Sequence, residues 1–194
     1  MKKQEQSLID EILNINKRII FIHPYSGKSS KAISEGKVPA PNWVDNKWVE
    51  LTNNLIEKYN CIIIFTGVGI ERKWIENIIS KINKKKNVIN TAGKFSLEEI
   101  ASLFKKADLL ISVDTSIAHI GGMVGIPQIV LSYINPKIVG PFAKYPERSK
   151  ILFHPEVCNS CMRYACPEKD NICMKVITTE EVFNLANKLL HIGI

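Results

Sequence analysis

The segment DTSIAH, residues 114–119, concentrates side chains that can bind an anion. It follows a short apolar run, at the point where a predicted strand turns into a helix. The first amides of a helix have no intrahelical acceptor and carry the positive end of its dipole, so they favour phosphate. The hydroxyls of Thr115 and Ser116 add donors, and His119 lies one turn further on the same side. The segment predicts a diphosphate site. The competing interpretation is simple helix capping by Asp114 or Thr115, with His119 as an ordinary packed or surface residue.

A second polar turn, Thr66-Gly67-Val68-Gly69, follows another apolar run. It resembles half of a dinucleotide-binding fingerprint, but no third glycine completes the pattern. Glu71, just after it, has a carboxylate that can accept from ribose hydroxyls. Glu71 is equally explained as an acid in the first turn of a helix, where the dipole favours it.

Four of the five cysteines fall within sixteen residues, spaced as Cys158-x2-Cys161-x4-Cys166-x6-Cys173. Four thiolates at such spacing suit a tetrahedral zinc or iron ion. A site with four protein ligands has no open coordination position, so its role would be structural. Free thiols or a redox pair are the alternative. Cys61 opens an apolar run and is interpreted as an inert core residue.

Short apolar runs alternate with segments of helical periodicity, which predicts an α/β fold with an open, doubly wound parallel sheet. The runs are continuous rather than alternating, as in strands buried on both faces. Ligands bind such sheets beyond the carboxyl ends of the strands, which is where the polar turns lie. The predicted strands are residues 18–23, 61–66, 87–93, 108–113 and 127–132.

Helices are predicted around Trp48, around Trp74, after a capping box of Ser96 and Glu99, and after Thr178. Residues 24–42 are interpreted as a long loop, and residues 133–175 as a Pro- and Cys-containing segment with little periodicity. We expect residues 1–17 to form an N-terminal linker or helix, and residues 18–194 to form one domain that includes the segment 158–173.

The chain has 194 residues and a net charge of +7, which favours anionic partners without choosing among them. Part of the excess is the cluster Lys81 to Lys86, which is most simply a solvated helix C-terminus. No apolar run is long enough to cross a bilayer, and the N-terminus lacks the pattern of a secretory signal. We expect a cytoplasmic protein.

Four segments together resemble glycosyltransferase family 9, the bacterial heptosyltransferases, over roughly residues 18–190. The segments are HPYSG followed by NWVDNKWVEL, then FTGVGIERKWIENI, then NTAGKFSLEEIASLFKKADLLISVDTSIAHIGGMVGIPQIVL, then GPFAKYPE. The resemblance implies the Rossmann-like, donor-binding half of a two-domain GT-B glycosyltransferase, with a Cys-rich C-terminal segment that part of the family shares.

The resemblance also implies roles for individual residues. Ser116 stands where the family usually has glycine, and Pro41 stands where it tends to place a phosphate-binding lysine, so Lys37 or Lys28 is the candidate substitute. No catalytic base is identified. The implied donor-binding set places Asp114, Thr115, Ser116 and His119 along the diphosphate, Ser26 beside the phosphates, Glu71 at the ribose and Lys94 near the nucleotide.

The family transfers a sugar, commonly heptose from ADP-heptose, to a lipopolysaccharide-core-like or protein acceptor, without a divalent cation for the transfer itself. The acceptor-binding half has no counterpart in this sequence, so we expect either a fragment of a longer enzyme or one product of a split gene, in which case a separate partner supplies that half. The alternative is a non-catalytic nucleotide- or phosphate-binding module that needs a partner chain. A nucleic-acid-binding metal knuckle is disfavoured because few basic residues surround the cysteines. We therefore expect no nucleic-acid partner and at most peripheral membrane contact.

Overall fold

A computed structural model of the chain describes residues 2–37, 42–157, 163, 165–167 and 171–191. Helices and strands alternate along most of this length. The strands are β1 (Ile19–His23), β2 (Ile62–Phe65), β3 (Val88–Asn90), β4 (Leu109–Val113), β5 (Gln128–Leu131) and β6 (Ser149–Leu152). The helices are α1 (Lys2–Leu13), α2 (Gly27–Ser34), α3 (Asp45–Tyr59), α4 (Arg72–Ser80), α5 (Leu97–Phe104), α6 (Ser116–Val124), α7 (Pro136–Val139), α8 (Ile172–Lys175) and α9 (Thr179–His191).

The six strands form one parallel sheet in the order β3-β2-β1-β4-β5-β6. This is the doubly wound order, in which the strand sequence reverses direction between β1 and β4. The five predicted strands and the α/β fold class are therefore confirmed. Every residue of β1 and β4 is buried, as their continuous apolar sequences predict.

Two apolar layers cover the sheet. On one face α3, α4 and α9 bury a large cluster that includes an edge-to-face pair of Trp43 and Trp48, with ring centroids 4.7 Å apart. On the other face α5 and α6 pack with Ile12 of α1 around Phe21. The domain boundary at residue 17 stays a prediction.

Two elements depart from the sequence-based expectations. The supposed loop 24–42 contains α2, which the hydroxyl of Ser26 caps by accepting from the Ser29 amide at 3.1 Å. The hydroxyls of Ser26 and Ser29 are also hydrogen-bonded to each other, at 3.1 Å. This helix has little apolar periodicity, which is why its sequence appeared loop-like. The aperiodic segment 133–175 contributes β6, a half-buried edge strand too short to show a pattern.

Within the described residues, no helix combines the length and apolar character that crossing a membrane requires.

Candidate functional site

A cleft of about 510 Å³ opens where the strand order reverses, beyond the carboxyl ends of β1, β4 and β5. Open α/β sheets bind their ligands at this position. Five of the seven predicted donor-binding residues line this cleft. Its lining comprises Ser26, Gly27, Lys28, Asp114, Thr115, Ser116, His119, Tyr133 and Ile134.

The N-terminus of α6 forms one wall of the cleft. Thr115 is the N-cap, and its hydroxyl accepts from the Ile117 amide at 3.2 Å. Helix capping by Thr115 is therefore real. It engages only part of the turn, because the amides of Thr115 and Ser116 have no acceptor among the described residues. Capping and anion binding are thus compatible at this turn.

The N-terminus of α2 faces the same cleft from β1. Ser26 caps it, and the amides of Gly27 and Lys28 follow in its first turn. A methyl group added at Gly27 would meet no atom within 4 Å, so the space beside this backbone is open. Two helix N-termini therefore direct their partial positive charge at one volume.

Side-chain charges reinforce these dipoles. The Lys28 ammonium donates to the Tyr133 hydroxyl at 3.0 Å, and His119 Nε2 lies 3.9 Å from the Asp114 carboxylate. Burial raises the pKa of Asp114, although the hydrogen bond from Ser132 and the charges of His119 and Lys28 oppose that rise. Asp114 is thus placed to orient the His119 imidazole at the wall of the cleft.

Two cleft residues were only partly predicted, or not predicted, from sequence. Lys28 is the candidate substitute that the structure brings into the cleft, whereas Lys37 pairs with Glu35 at 2.5 Å and does not line it. Tyr133 was missed, because an aromatic residue just after a strand carries no distinguishing signal.

Glu71 does not line the cleft. Its side chain is buried, and its carboxylate accepts from the Ser30 hydroxyl at 2.7 Å and from the Val68 amide at 2.9 Å. Burial raises the pKa of Glu71, and those two hydrogen bonds limit the rise. The carboxylate thus ties the loop after β2 to α2, and any ribose contact would have to displace one of these partners.

Lys94 also lies outside the cleft, in the turn after β3. This turn packs on the loop after β2: the Gly93 amide donates to the Gly67 carbonyl at 2.7 Å, and the Arg72 guanidinium donates to the Ala92 carbonyl. The two loops form a second corner, on the β2–β3 side of the cleft. The roles of Glu71 and Lys94 stay predictions.

His23 ends β1 next to the cleft and makes stability pH-dependent. Its imidazole Nδ1 is hydrogen-bonded to the Thr66 hydroxyl at 2.8 Å, and burial lowers the pKa of His23 from 6.5 to about 4. Between these values the unfolded chain takes up a proton that the folded chain excludes, so stability falls as pH falls from 6.5 to 4. The loss amounts to about 3 kcal/mol.

We expect His23→Gln, which keeps a hydrogen-bonding group for Thr66, to flatten this part of the profile. Urea denaturation of both proteins across the window measures the difference. Parallel pH profiles for the two proteins would show that His23 does not carry the effect.

The predicted metal ligands are only partly described. Cys158 and Cys161 lie outside the described residues. Cys166 is half-buried and accepts from the Asn171 amide at 3.3 Å, while Cys173 is buried. No metal-binding cluster forms among the residues that the structure does describe. Cys61 is a buried core residue, and burial raises the pKa of its thiol to about 12, as expected for an inert cysteine.

Comparisons with known proteins agree with the fold and with the motifs. The family model "Glycosyltransferase family 9 (heptosyltransferase)" matches residues 4–172. The lipopolysaccharide core heptosyltransferase OpsX of Haemophilus influenzae is 26% identical over 145 residues, which cover 73% of this chain and 38% of that protein.

Two solved structures share the fold. The E. coli ADP-heptose lipopolysaccharide heptosyltransferase II superposes with a TM-score of 0.75 at 16% identity, over 97% of this chain and 52% of that one. The iron-containing dodecameric glycosyltransferase TibC of enterotoxigenic E. coli superposes with a TM-score of 0.63 at 17% identity, over 91% of this chain and 46% of that one.

The chain spans between 38% and 53% of the length of the curated relatives that it matches. The six-stranded sheet corresponds to one half of a GT-B structure. The family model matches residues 4–172, which are most of the chain, and five of the seven predicted donor-binding residues line the cleft, so the chain belongs to glycosyltransferase family 9, the heptosyltransferase family.

Proposed function

We propose that this chain is the donor-binding half of a glycosyltransferase that transfers a sugar, a heptose by analogy with its relatives, from a nucleoside diphosphate sugar such as ADP-heptose. The observation that carries the proposal is the convergence of two helix N-termini, Lys28 and His119 on one open cleft. This arrangement concentrates positive charge where a diphosphate would lie.

The proposed mechanism is stabilisation of the leaving group. As the bond between sugar and phosphate breaks, negative charge grows on the diphosphate. The first-turn amides of α2 and α6, with Lys28 and His119, are placed to receive that charge, so the transfer itself requires no divalent cation. Each such preorganised donor typically contributes about 2.7–4 kcal/mol of transition-state stabilisation.

The remaining predicted residues complete the donor site. Ser26 caps α2 and presents its hydroxyl at the cleft, beside the phosphates. Ser116 supplies an amide and a hydroxyl at the opposite wall. Glu71 would accept from the ribose by exchanging its bond to Ser30 or Val68, and Lys94 would approach the nucleotide from the second corner.

The acceptor belongs to a second half in this proposal. The chain spans about half the length of its relatives, and in this proposal a second half, in the same protein or in a partner chain, binds a lipopolysaccharide-core-like or protein acceptor and supplies the catalytic base. We place the reaction in the cytoplasm, as the sequence predicts.

A turnover assay tests the function. The chain is incubated with ADP-heptose and a lipopolysaccharide-core acceptor, alone and with a separately expressed acceptor half from a relative. We expect sugar transfer only when both halves are present. Tight donor binding without transfer in any combination would instead favour a non-catalytic binding module.

We further propose that the four cysteines hold one structural zinc or iron ion. The Asn171 amide that donates to Cys166 Sγ supports this, because amide donors stabilise a thiolate, and TibC is an iron-containing relative. Cys166 and Cys173 would be two of the ligands, with Cys158 and Cys161 as the others.

Elemental analysis of protein purified under reductant should find about one equivalent of zinc or iron for a four-thiolate site. Cys166→Ser should lose most of that metal, while Cys61→Ser, which changes a core cysteine outside the cluster, should retain it. Substoichiometric metal in the wild type, together with titration of all four thiols by a thiol reagent, would contradict the site.

A further inference from the structure

The net positive charge of this protein comes from residues at one edge of its sheet. Four segments precede the strands β1 to β4 at the edge opposite the cleft: residues 14–18, 57–61, 81–87 and 105–108. We call them the basic edge. They hold nine of the 26 Lys and Arg side chains and two of the 19 Asp and Glu side chains. The rest of the sequence is therefore balanced, and the basic edge carries the whole net charge of +7.

Hydrogen bonds hold the four segments side by side. The Lys17 ammonium donates to the Asn60 side chain at 3.3 Å, and the Asn87 side chain donates to the Cys61 carbonyl at 3.0 Å. The Ile19 amide, at the start of β1 directly after the segment 14–18, donates to the Asp108 carboxylate of the segment 105–108 at 2.7 Å. The charges therefore form one continuous surface rather than separate helix ends.

The cations of this surface are exposed and not neutralised. Eight of the nine are exposed, and Arg18 is half-buried with its guanidinium over the Tyr59 ring. Within the part of the chain that the structure describes, none of them forms an ion pair with a carboxylate. The carboxylate of Asp108 is committed to a backbone amide.

A favourable helix dipole accounts for only part of this pattern. Lys81 and Lys105 are helix C-caps, where a cation is expected. Lys17 and Arg18 immediately precede a strand, and Lys86 precedes β3, so no α-helix C-terminus explains them. A cleft of about 340 Å³ is lined by Lys17, Arg18 and Lys106, and also by Asp108, whose carboxylate accepts from the Ile19 amide. The cleft has room for an anionic group.

We propose that the basic edge docks on an anionic phospholipid surface, with a lipid phosphate in the cleft among Lys17, Arg18 and Lys106. Eight of the nine cations are lysines, which act as point charges and are attracted to a surface of many anionic lipid headgroups. Single-stranded nucleic acid requires exposed aromatic rings for base stacking, and the one aromatic side chain of these segments, Tyr59, is half-buried under Arg18. Docking at this edge leaves the donor cleft open, because the cleft lies at the opposite edge.

Co-sedimentation with vesicles tests the proposal. We expect binding to phosphatidylcholine vesicles that contain about one third phosphatidylglycerol, and little binding to pure phosphatidylcholine. Binding should fall steeply as salt rises, because exposed charges are screened. Each lysine near such a surface strengthens binding about fivefold, so Lys86→Gln with Lys106→Gln should weaken it by about 20-fold or more.

The matched control is Lys73→Gln with Lys137→Gln, two exposed lysines outside the basic edge. This control should bind vesicles as the wild type does, and all proteins should show the same thermal unfolding. Equal loss in both pairs would overturn the proposal, as would tighter binding to a single-stranded RNA homopolymer than to the anionic vesicles. Because the donor cleft lies at the opposite edge of the sheet, saturating ADP should leave vesicle binding unchanged, so this test does not depend on the donor site.

Discussion

Replacing Lys28 and His119 together by alanine should weaken the binding of a nucleoside diphosphate by at least about 100-fold. Each side chain lines the cleft and would donate a hydrogen bond to charged phosphate oxygens. Such bonds contribute about 1.5–3 kcal/mol each, so two of them account for at least two orders of magnitude in affinity. Isothermal titration calorimetry with ADP, UDP and GDP measures the effect and also identifies the preferred base.

The control removes positive charge from the surface without touching the cleft. Lys84→Ala with Lys85→Ala removes two exposed cations of the basic edge, at the edge of the sheet opposite the cleft, and should leave the dissociation constant within about twofold, because exposed charges beyond a Debye length are screened. Unfolding temperatures of all variants should agree, since Lys28 and His119 belong to no core cluster. If the cleft double variant binds every diphosphate as tightly as the control does, the two side chains do not contact phosphate.

Gly93→Ala should destabilise the fold by about 2–4 kcal/mol. Gly93 has φ +69°, and a Cβ at this position would lie 2.7 Å from the Gly69 Cα and 3.0 Å from the Gly69 nitrogen. Both obstacles are backbone atoms of the loop after β2, so no side-chain rotation relieves them. Urea denaturation at neutral pH measures the loss.

Gly36→Ala separates the two causes. Gly36 has a similar φ of +67°, but a Cβ there would meet nothing within 4 Å. Gly36→Ala should lower the free energy of unfolding by only about 1 kcal/mol, the cost of placing alanine in the left-handed backbone region. Equal losses at Gly36 and Gly93 would mean that the second corner is loosely packed. Because Lys94 follows Gly93, a loss of nucleotide affinity in Gly93→Ala alone would also support the predicted position of Lys94 near the nucleotide.

The sheet and its cleft were predictable because they follow from strong local signals. Continuous β-branched runs mark strands buried on both faces, and parallel strands place their carboxyl ends at one edge. Residues 114–119 therefore had to lie at that edge, and the structure confirms that they meet Ser26 there. The capping box of Ser96 and Glu99 was likewise visible in sequence and is present, with both hydrogen bonds made.

The missed features depend on tertiary contacts. Helix α2 is stabilised by the paired hydroxyls of Ser26 and Ser29 and by its docking to Glu71 through Ser30, none of which produces an apolar stripe. The sequence also gives no sign that the Glu71 carboxylate is buried and bonded between the loop after β2 and α2, and its contact with a ribose stays a prediction. The close packing of Gly69 against Gly93 was also missed, because Gly93 comes from a different loop.

The central claim is that the backbone amides at the start of α6 bind the diphosphate, and Ser116→Pro tests it most directly. Ser116 is the first residue of the helix, where proline is tolerated, and Thr115 before it is extended at φ −149° and ψ 174°, as a residue preceding proline prefers. The substitution removes the Ser116 amide hydrogen and leaves the helix intact. Ser116→Ala removes only the hydroxyl.

We expect calorimetry to show that Ser116→Pro binds the preferred nucleoside diphosphate at least about tenfold more weakly than Ser116→Ala, because one hydrogen bond to a charged group is lost. Both variants should unfold at the same temperature to within a few degrees. Equal diphosphate affinities for the proline and alanine variants would contradict the account, since the turn after β4 would then not bind the phosphates through its backbone.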